Sequence, residues 1–155
     1  MKNFKLLYAS LVLILSGLFT DVALAQPGCG GAPSIPSLPF TGSYSTCGAG
    51  DDFSSADACG STYMNGDDFV FTYTPGANET VDIALSNTGT WTGLFITDAC
   101  PSVGGANCVA SNTNSAGNPS INGVNLNAGT TYYITISTWP TPQCTDFDIN
   151  VSTSG

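Results

Sequence analysis

The sequence predicts an all-β protein: an antiparallel β-sandwich with jelly-roll-like organisation, about seven or eight strands, stapled by disulfides. Apolar and polar residues alternate along several short segments, which is the pattern of half-buried strands. Clusters of Gly, Asn, Ser, Thr and Pro separate these segments at short intervals, and the chain carries six cysteines. No segment has the 3.6-residue period of an amphipathic helix. This combination is typical of a sandwich or jelly roll.

Residues 1–25 have the composition of a signal peptide. Lys2 and Lys5 form a basic start, "LLYASLVLILSGLF" is an apolar run, and "ALA" is a small-residue cleavage site. We expect cleavage after Ala25, and the chain contains no later stretch of about 20 apolar residues. The sequence therefore predicts a secreted or cell-surface protein that is not inserted in the membrane after cleavage. A lipid anchor on Cys29 is an alternative, although "QPG" separates this cysteine from the cleavage site.

Residues 26–45 are rich in proline, and proline cannot donate a hydrogen bond to a neighbouring strand. We expect this segment to be an extended arm or an edge strand, docked by Leu38 and Phe40. Residues 46–155 are then the β-sandwich domain.

Within this domain, three segments alternate strictly, and each is expected to bury one face. The inward sets are Phe69, Phe71 and Tyr73 in "DFVFTYT"; Val81, Ile83 and Leu85 in "TVDIALS"; and Phe147, Ile149 and Val151 in "TDFDINVS". Further strands are expected in "WTGLFIT", "NCVAS", "GVNL" and "TTYYITIST".

The charge pattern excludes several functions. The only basic residues are Lys2 and Lys5, histidine is absent, and all but one of the eleven acidic residues follow the leader. Nucleic acid is therefore excluded as a partner, because its binding depends on cationic side chains. Without histidine, neither a Ser-His-Asp nor a Cys-His nucleophile can be built. Adjacent carboxylates do not place an acid and a base across a sugar, so the sequence predicts no catalytic residues and a protein that is not an enzyme.

Six cysteines in an exported chain predict three disulfides. Cys100 and Cys108 flank a Gly-rich loop and are expected to pair. Cys47 and Cys59 flank another loop, "GAGDDFSSADA", and form the second pair. Cys29–Cys144 follows by elimination. The chain has no CxxC motif, which disfavours a zinc or redox site.

The carboxylates concentrate in "GDDFSSAD" and "NGDDF". Oxygen ligands of this kind suit calcium, so the candidate ligands are Asp51, Asp52, Asp57, Asp67 and Asp68. In the alternative interpretation, these side chains cap backbone N–H groups in turns. Calcium is the only cofactor that the sequence suggests.

Four aromatic residues are candidates for a ligand-stacking surface: Trp91, Trp139, Tyr132 and Tyr133. Three of them lie on or beside strand patterns, where aromatic side chains usually belong to the core. Trp139 lies in the loop "STWPTP" and is the candidate ligand-binding residue.

The segment "NGDDFVFTYTPGANETVDIALSNTGTWTGLFITDACP", followed by "CVAS", "GVNLNAGTTYYITISTWP" and "FDINVS", resembles the bacterial pre-peptidase C-terminal (PPC-like) domain. The similarity extends from about Ser45 to Ser152. It implies a non-catalytic β-sandwich module of large secreted bacterial proteins, in which such modules bind matrix protein or polysaccharide or act as spacers. The disulfide-rich variant resembles modules of surface proteins exported through the type IX pathway.

Together these features predict a secreted or cell-surface module that binds extracellular polysaccharide or protein in an adhesion or accessory role. One alternative is a structural subunit or spacer of a surface assembly. Another is a calcium-dependent accessory module cut from a larger secreted hydrolase.

Overall fold

The computed structural model describes residues 28–155, so the predicted signal peptide and its cleavage site lie outside the described residues. The described chain forms eight antiparallel strands in two sheets, which confirms the predicted all-β sandwich. The strands are β1 (Phe40–Ser45), β2 (Phe69–Tyr73), β3 (Glu79–Ser86), β4 (Thr92–Thr97), β5 (Cys108–Asn114), β6 (Ser120–Leu126), β7 (Tyr132–Thr138) and β8 (Asp146–Thr153).

The first sheet has the strand order β1-β8-β3-β6 and the second has the order β2-β7-β4-β5. The two sheets enclose the main core, and the three alternating segments supply its centre as predicted. Among its buried side chains are Phe71, Tyr73, Val81, Ile83, Leu85, Phe147, Ile149 and Val151. The opposite face of the first sheet is polar because the alternate residues of β3 and β8 are Asp, Asn, Ser, Thr and Ala.

The Pro-rich segment lies along edges of both sheets. Strand β1 is the outer strand of the first sheet and pairs only with β8. The residues before it run beside β2, where Ile35 N donates to Thr72 O (2.8 Å) and Thr72 N donates to Pro33 O (2.9 Å). Leu38 and Phe40 pack against the main core, as the sequence predicted.

The prediction that each strand buries only one face is wrong for the second sheet. All six residues of β4 are buried, and Val70 and Phe95 form a second apolar cluster with Phe53 and Met64. Residues 46–67, hereafter the covering loop, supply the last two side chains, partly through a 3-10 turn at Thr62–Met64. This loop covers part of the second sheet, so β4 and much of β2 and β7 are buried on both faces, whereas the edge strand β5 is mostly exposed.

All three predicted disulfides are wrong: Cys47–Cys59, Cys100–Cys108 and Cys29–Cys144 do not form. The cysteines pair instead as Cys29–Cys100, Cys47–Cys144 and Cys59–Cys108. The second pair follows from strand register, which places Ser45 opposite Asp146. Thr46 N donates to Thr145 O at 2.8 Å, so the next residues outward along the two chains are the paired cysteines.

The loop between Cys100 and Cys108 is closed by hydrogen bonds rather than by a disulfide. Asp98 Oδ1 accepts from Asn107 N at 2.7 Å, and Asp98 Oδ2 accepts from the Asn107 side chain at 2.8 Å. Each cysteine is thereby left to bind a different segment. Cys100 fixes the N-terminal arm and Cys108 fixes the covering loop.

These pairings span long stretches of chain, with sequence separations of 71, 97 and 49 residues. In the chain-entropy description, loops of this length stabilise the fold by about 4 to 5 kcal/mol each. Covalent links of this strength matter in a chain that has no basic side chain after Lys5 with which to form ion pairs. Within residues 28–155, the structure contains no helix long and apolar enough to span a bilayer.

Candidate functional site: an exposed aromatic platform

Strand register brings two tryptophans side by side at one end of the second sheet. Trp91 directly precedes β4 and Trp139 directly follows β7, and these antiparallel strands pair Thr92 with Thr138. Trp139 N donates to Trp91 O at 3.0 Å, and the two ring centroids are 5.8 Å apart. Trp91 is 42% exposed and Trp139 is 38% exposed. Two large apolar rings therefore share one patch of the surface.

Tyr63 adds a third ring to this patch. Its centroid lies 6.0 Å from that of Trp91 and 5.5 Å from that of Trp139, the latter in an edge-to-face arrangement. The side chain leaves the 3-10 turn, where Tyr63 N donates to the Ser61 hydroxyl at 3.2 Å. A Cβ at Gly93 would lie 3.0 Å from the Tyr63 Cβ, so a glycine in β4 leaves room for Tyr63. We call Tyr63, Trp91 and Trp139 the aromatic platform.

Trp91 has a left-handed backbone conformation, with φ of 61°. This region is sterically unfavourable for a bulky side chain and costs about 1 to 2 kcal/mol. The conformation is fixed by two backbone hydrogen bonds: Trp91 N donates to Ser115 O at 3.2 Å, and Trp91 O accepts from Trp139 N. Strain of this kind is concentrated at functional sites.

Hydrogen bonds also hold the turn that carries Trp91. Gly89 N donates to Thr145 Oγ1 at 2.7 Å, and the Thr92 hydroxyl donates to Gly89 O at 2.9 Å. Thr88 N donates to Asn118 Oδ1 at 3.0 Å. Because the turn is already ordered, a ligand would meet a preformed surface and would lose little affinity to side-chain and loop ordering.

The loop after Trp139 is joined to the covering loop. Asp67 N donates to Gln143 O at 2.7 Å, and the Gln143 side chain donates to Asp67 Oδ1 at 3.2 Å. The Cys47–Cys144 disulfide links the same two loops. Gly66 packs directly against Thr138 and Gln143, and a Cβ there would overlap the Thr138 hydroxyl. The positions of Tyr63 and Trp139 therefore depend on one another.

The five candidate calcium ligands lie in the covering loop and directly before β2, and their role as calcium ligands stays a prediction. Within residues 28–155, no group of three or more His, Cys, Asp or Glu side chains has an arrangement that could hold a metal ion. Four of the five aspartates instead accept hydrogen bonds from backbone N–H groups: Asp52 from Gly28, Asp57 from Ser54, Asp67 from Gly48, and Asp68 from Asp52 and Phe53. The structure thus agrees with the capping interpretation for these four residues.

Asp68 is the exceptional carboxylate, because it is buried at the start of β2. Burial raises its pKa to about 7, against the lowering influence of Ser137 and of the Phe53 and Asp52 N–H groups. The Ser137 hydroxyl donates its hydrogen bond to Gly66 O (3.3 Å) rather than to the Asp68 carboxyl. Among the described residues, Asp68 Oδ1 has no hydrogen-bond partner. The neutral, protonated carboxyl is therefore the favoured form of Asp68 below neutral pH.

The structure corrects the predicted aromatic set in part. Trp139 is exposed in a loop, as expected, and its role as a ligand contact stays a prediction. Trp91 was expected in the core but is exposed. Tyr132 is buried in the main core and Tyr133 packs half-buried against the second cluster, as expected. Sequence reasoning missed Tyr63, since its three-residue turn has no periodic pattern.

No protein-family model and no curated protein matches the sequence. The solved structures that are similar include two from bacteria. One is PliG of Aeromonas hydrophila, a periplasmic lysozyme inhibitor of g-type lysozyme, at 12% identity, 79% coverage of this chain and 96% of that chain, with a TM-score of 0.51. The other is the pre-peptidase C-terminal domain of collagenase from Bacillus anthracis, at 18% identity, 79% and 94% coverage, and a TM-score of 0.50. At these identities the likeness concerns the fold, and this chain has the fold of a pre-peptidase C-terminal domain.

Proposed function

We propose that this protein is a secreted or cell-surface, non-catalytic β-sandwich module that binds an extracellular polysaccharide or protein through the aromatic platform. The observation that carries this proposal is the pair of adjacent exposed tryptophans, of which Trp91 lies on a strained, hydrogen-bonded turn. A large exposed apolar patch with a polar rim marks an interaction site in soluble proteins. Tryptophan and tyrosine are also the side chains that most often dominate binding energy.

Other features support an extracellular accessory role. Three long-range disulfides suit an oxidising compartment. The two similar structures are a periplasmic inhibitor and a domain of a collagenase, so this fold occurs in proteins outside the cytoplasm. The absence of histidine, lysine and arginine after the leader supports a binding rather than a catalytic role.

The test is a glycan array and a pull-down from extracellular matrix and cell-surface fractions with the oxidised, exported protein. Trp139→Ala and Trp91→Ala should each reduce retention of the captured partner at least fivefold. Val103→Ala is the matched control, because Val103 is 54% exposed in the β4–β5 loop, away from the platform. Equal retention by the tryptophan variants and the wild type would contradict the proposal, as would absence of any retained partner.

A further inference from the structure

We infer that the partner of the aromatic platform is a cationic protein surface, whose arginine and lysine side chains stack on the exposed tryptophans and face the carboxylates of the covering loop. This inference rests on the proposed function and adds the chemistry of the partner. It follows from three properties of the site: its tryptophan rings, the negative charge around it and its fixed conformation.

The rings are suited to cations. Trp is the best aromatic partner for an ammonium or guanidinium group, and the attraction increases when the cation is desolvated. Arginine combines charge with a flat surface that stacks on an aromatic face. The exposed sides of Trp91 and Trp139 offer such faces in one patch.

The charge around the platform has one sign. The covering loop carries Tyr63 and also Asp51, Asp52 and Asp67, and the first and last of these carboxylates interact with Gln143. Asp67 is hydrogen-bonded to Gln143 of the loop that starts with Trp139, so both sides of the platform adjoin this acidic loop. Burial, and after it the like charges of Asp67 and Asp52, raise the pKa of Asp51, so three carboxylates lie close together at this end of the sandwich.

No cationic side chain within residues 28–155 neutralises these carboxylates, because that part of the sequence contains no Lys, Arg or His. A uniformly negative surface attracts cationic partners over distances of about a Debye length and repels anionic ones. Acidic polysaccharides and other polyanions are thus poor partners. The negative potential does not attract an uncharged polysaccharide. It increases the association rate of a basic protein and helps to fix the orientation in which that protein binds.

The platform is also already ordered. Its turn is fixed by hydrogen bonds and its two loops are joined by a disulfide. Rigid aromatic side chains lose little entropy on binding, which is the property of protein-binding anchor residues.

The experiment measures binding of a Gly-Arg repeat peptide to the oxidised exported protein by tryptophan fluorescence, in 20 to 300 mM NaCl. Parallel titrations use a Gly-Glu repeat peptide and dextran, an uncharged polysaccharide. We expect the arginine peptide to bind, its affinity to fall with salt, and the other two probes not to bind. In Trp139→Ala, the remaining platform tryptophan reports binding, and we expect at least a fivefold loss without any change of net charge.

A second pair of variants separates local from overall charge. Asp51→Asn removes one exposed carboxylate from the covering loop. Asp82→Asn removes one carboxylate from β3 in the other sheet, where the Asp82 side chain accepts hydrogen bonds from Gly123 N and the Ser154 hydroxyl rather than from any residue of the platform or its loops. We expect a greater loss of affinity and a smaller salt slope in Asp51→Asn. Circular dichroism and the urea midpoint confirm that each variant is folded, and Trp139→Phe should recover part of the affinity.

Two results would overturn the inference. If Trp139→Ala and the wild type bound the arginine peptide with equal affinity, the net charge of the protein alone would account for the attraction. Binding of dextran that depends on the tryptophans, with no arginine-peptide binding, would replace the cationic partner with an uncharged glycan and leave the proposed function standing. By contrast, capture of a partner that is indifferent to both tryptophans would contradict the proposed function itself.

Discussion

Trp91 has a costly backbone conformation and an exposed ring, a combination that stability alone does not explain. Its φ of 61° is one that glycine adopts freely and tryptophan does not. Replacing it by glycine or by alanine removes the same ring contacts with Tyr63 and Trp139. The two variants differ mainly in the cost of the left-handed conformation.

We therefore expect Trp91→Gly to be more stable than Trp91→Ala by about 1 kcal/mol, because only the alanine retains the steric strain. Urea denaturation followed by circular dichroism measures the difference. Both variants should lose partner binding equally. An alanine variant as stable as the glycine variant would mean that the turn relaxes and that Trp91 is not strained.

The raised pKa of Asp68 predicts that the free energy of unfolding depends on pH. Its folded pKa of about 7 is above the ordinary aspartate value of 3.8. A raised folded pKa contributes stability that is fully present below about pH 4 and is lost as pH rises to 7. Relative to Asp68→Asn, the unfolding free energy of the wild type should fall by up to about 4 kcal/mol across this range. Urea midpoints of the two proteins between pH 4 and 8 provide the measurement, and parallel curves would refute the assignment.

At the scale of elements, alternation alone was sufficient to predict β3 and β8 and the inward face of β2. The periodic signal works there because one side of each strand meets the main core. It fails for Val70 and Phe95, because the covering loop buries these side chains on the outer face of the second sheet. No local pattern in the sequence of the loop predicts that it packs there.

The disulfides and the platform could not be predicted for a related reason. Cys47 meets Cys144 because of the β1–β8 register, and Trp91 meets Trp139 because of the β4–β7 register. Pairing between strands distant in sequence is a tertiary property, whereas spacing along the chain reports only local loops. The sequence identified both tryptophans as candidates for a stacking surface, but it could not show that they lie side by side.

Gly66 tests how tightly the covering loop is coupled to the loop after Trp139. A Cβ there would overlap the Thr138 hydroxyl and lie 2.7 Å from Gln143 O. Since one of these atoms belongs to the backbone, Gly66→Ala must displace a loop, and we expect a loss of about 1 to 3 kcal/mol. Gly104→Ala is the control, because nothing lies within 4 Å of a Cβ at that position. Equal urea midpoints for the two variants would contradict the proposed coupling.

At the scale of the whole molecule, the protein folds despite the mutual repulsion of its carboxylates. Ten of the eleven acidic side chains lie in residues 28–155, which contain no basic side chain. Hydrogen bonds lower the pKa values of Asp82, Asp98 and Asp148, so these groups stay ionised well into the acid range. The disulfides and the two apolar clusters must therefore offset repulsion that ion pairs relieve in most proteins.

This charge imbalance predicts an unusual response to salt. Raising NaCl from 10 to 150 mM shortens the Debye length from about 30 to about 8 Å, and it screens repulsion that is stronger in the compact state than in the unfolded chain. We expect the Tm of this protein to rise by a few degrees when NaCl is added at pH 8. Proteins that are stabilised by exposed ion pairs respond to added salt in the opposite way and lose stability. The double variant Asp51→Asn/Asp146→Asn should show a smaller rise, and sucrose at equal osmolality should not reproduce the difference between the two proteins. A Tm that falls with salt in calorimetry would mean that repulsion among these carboxylates does not limit the stability of the folded state.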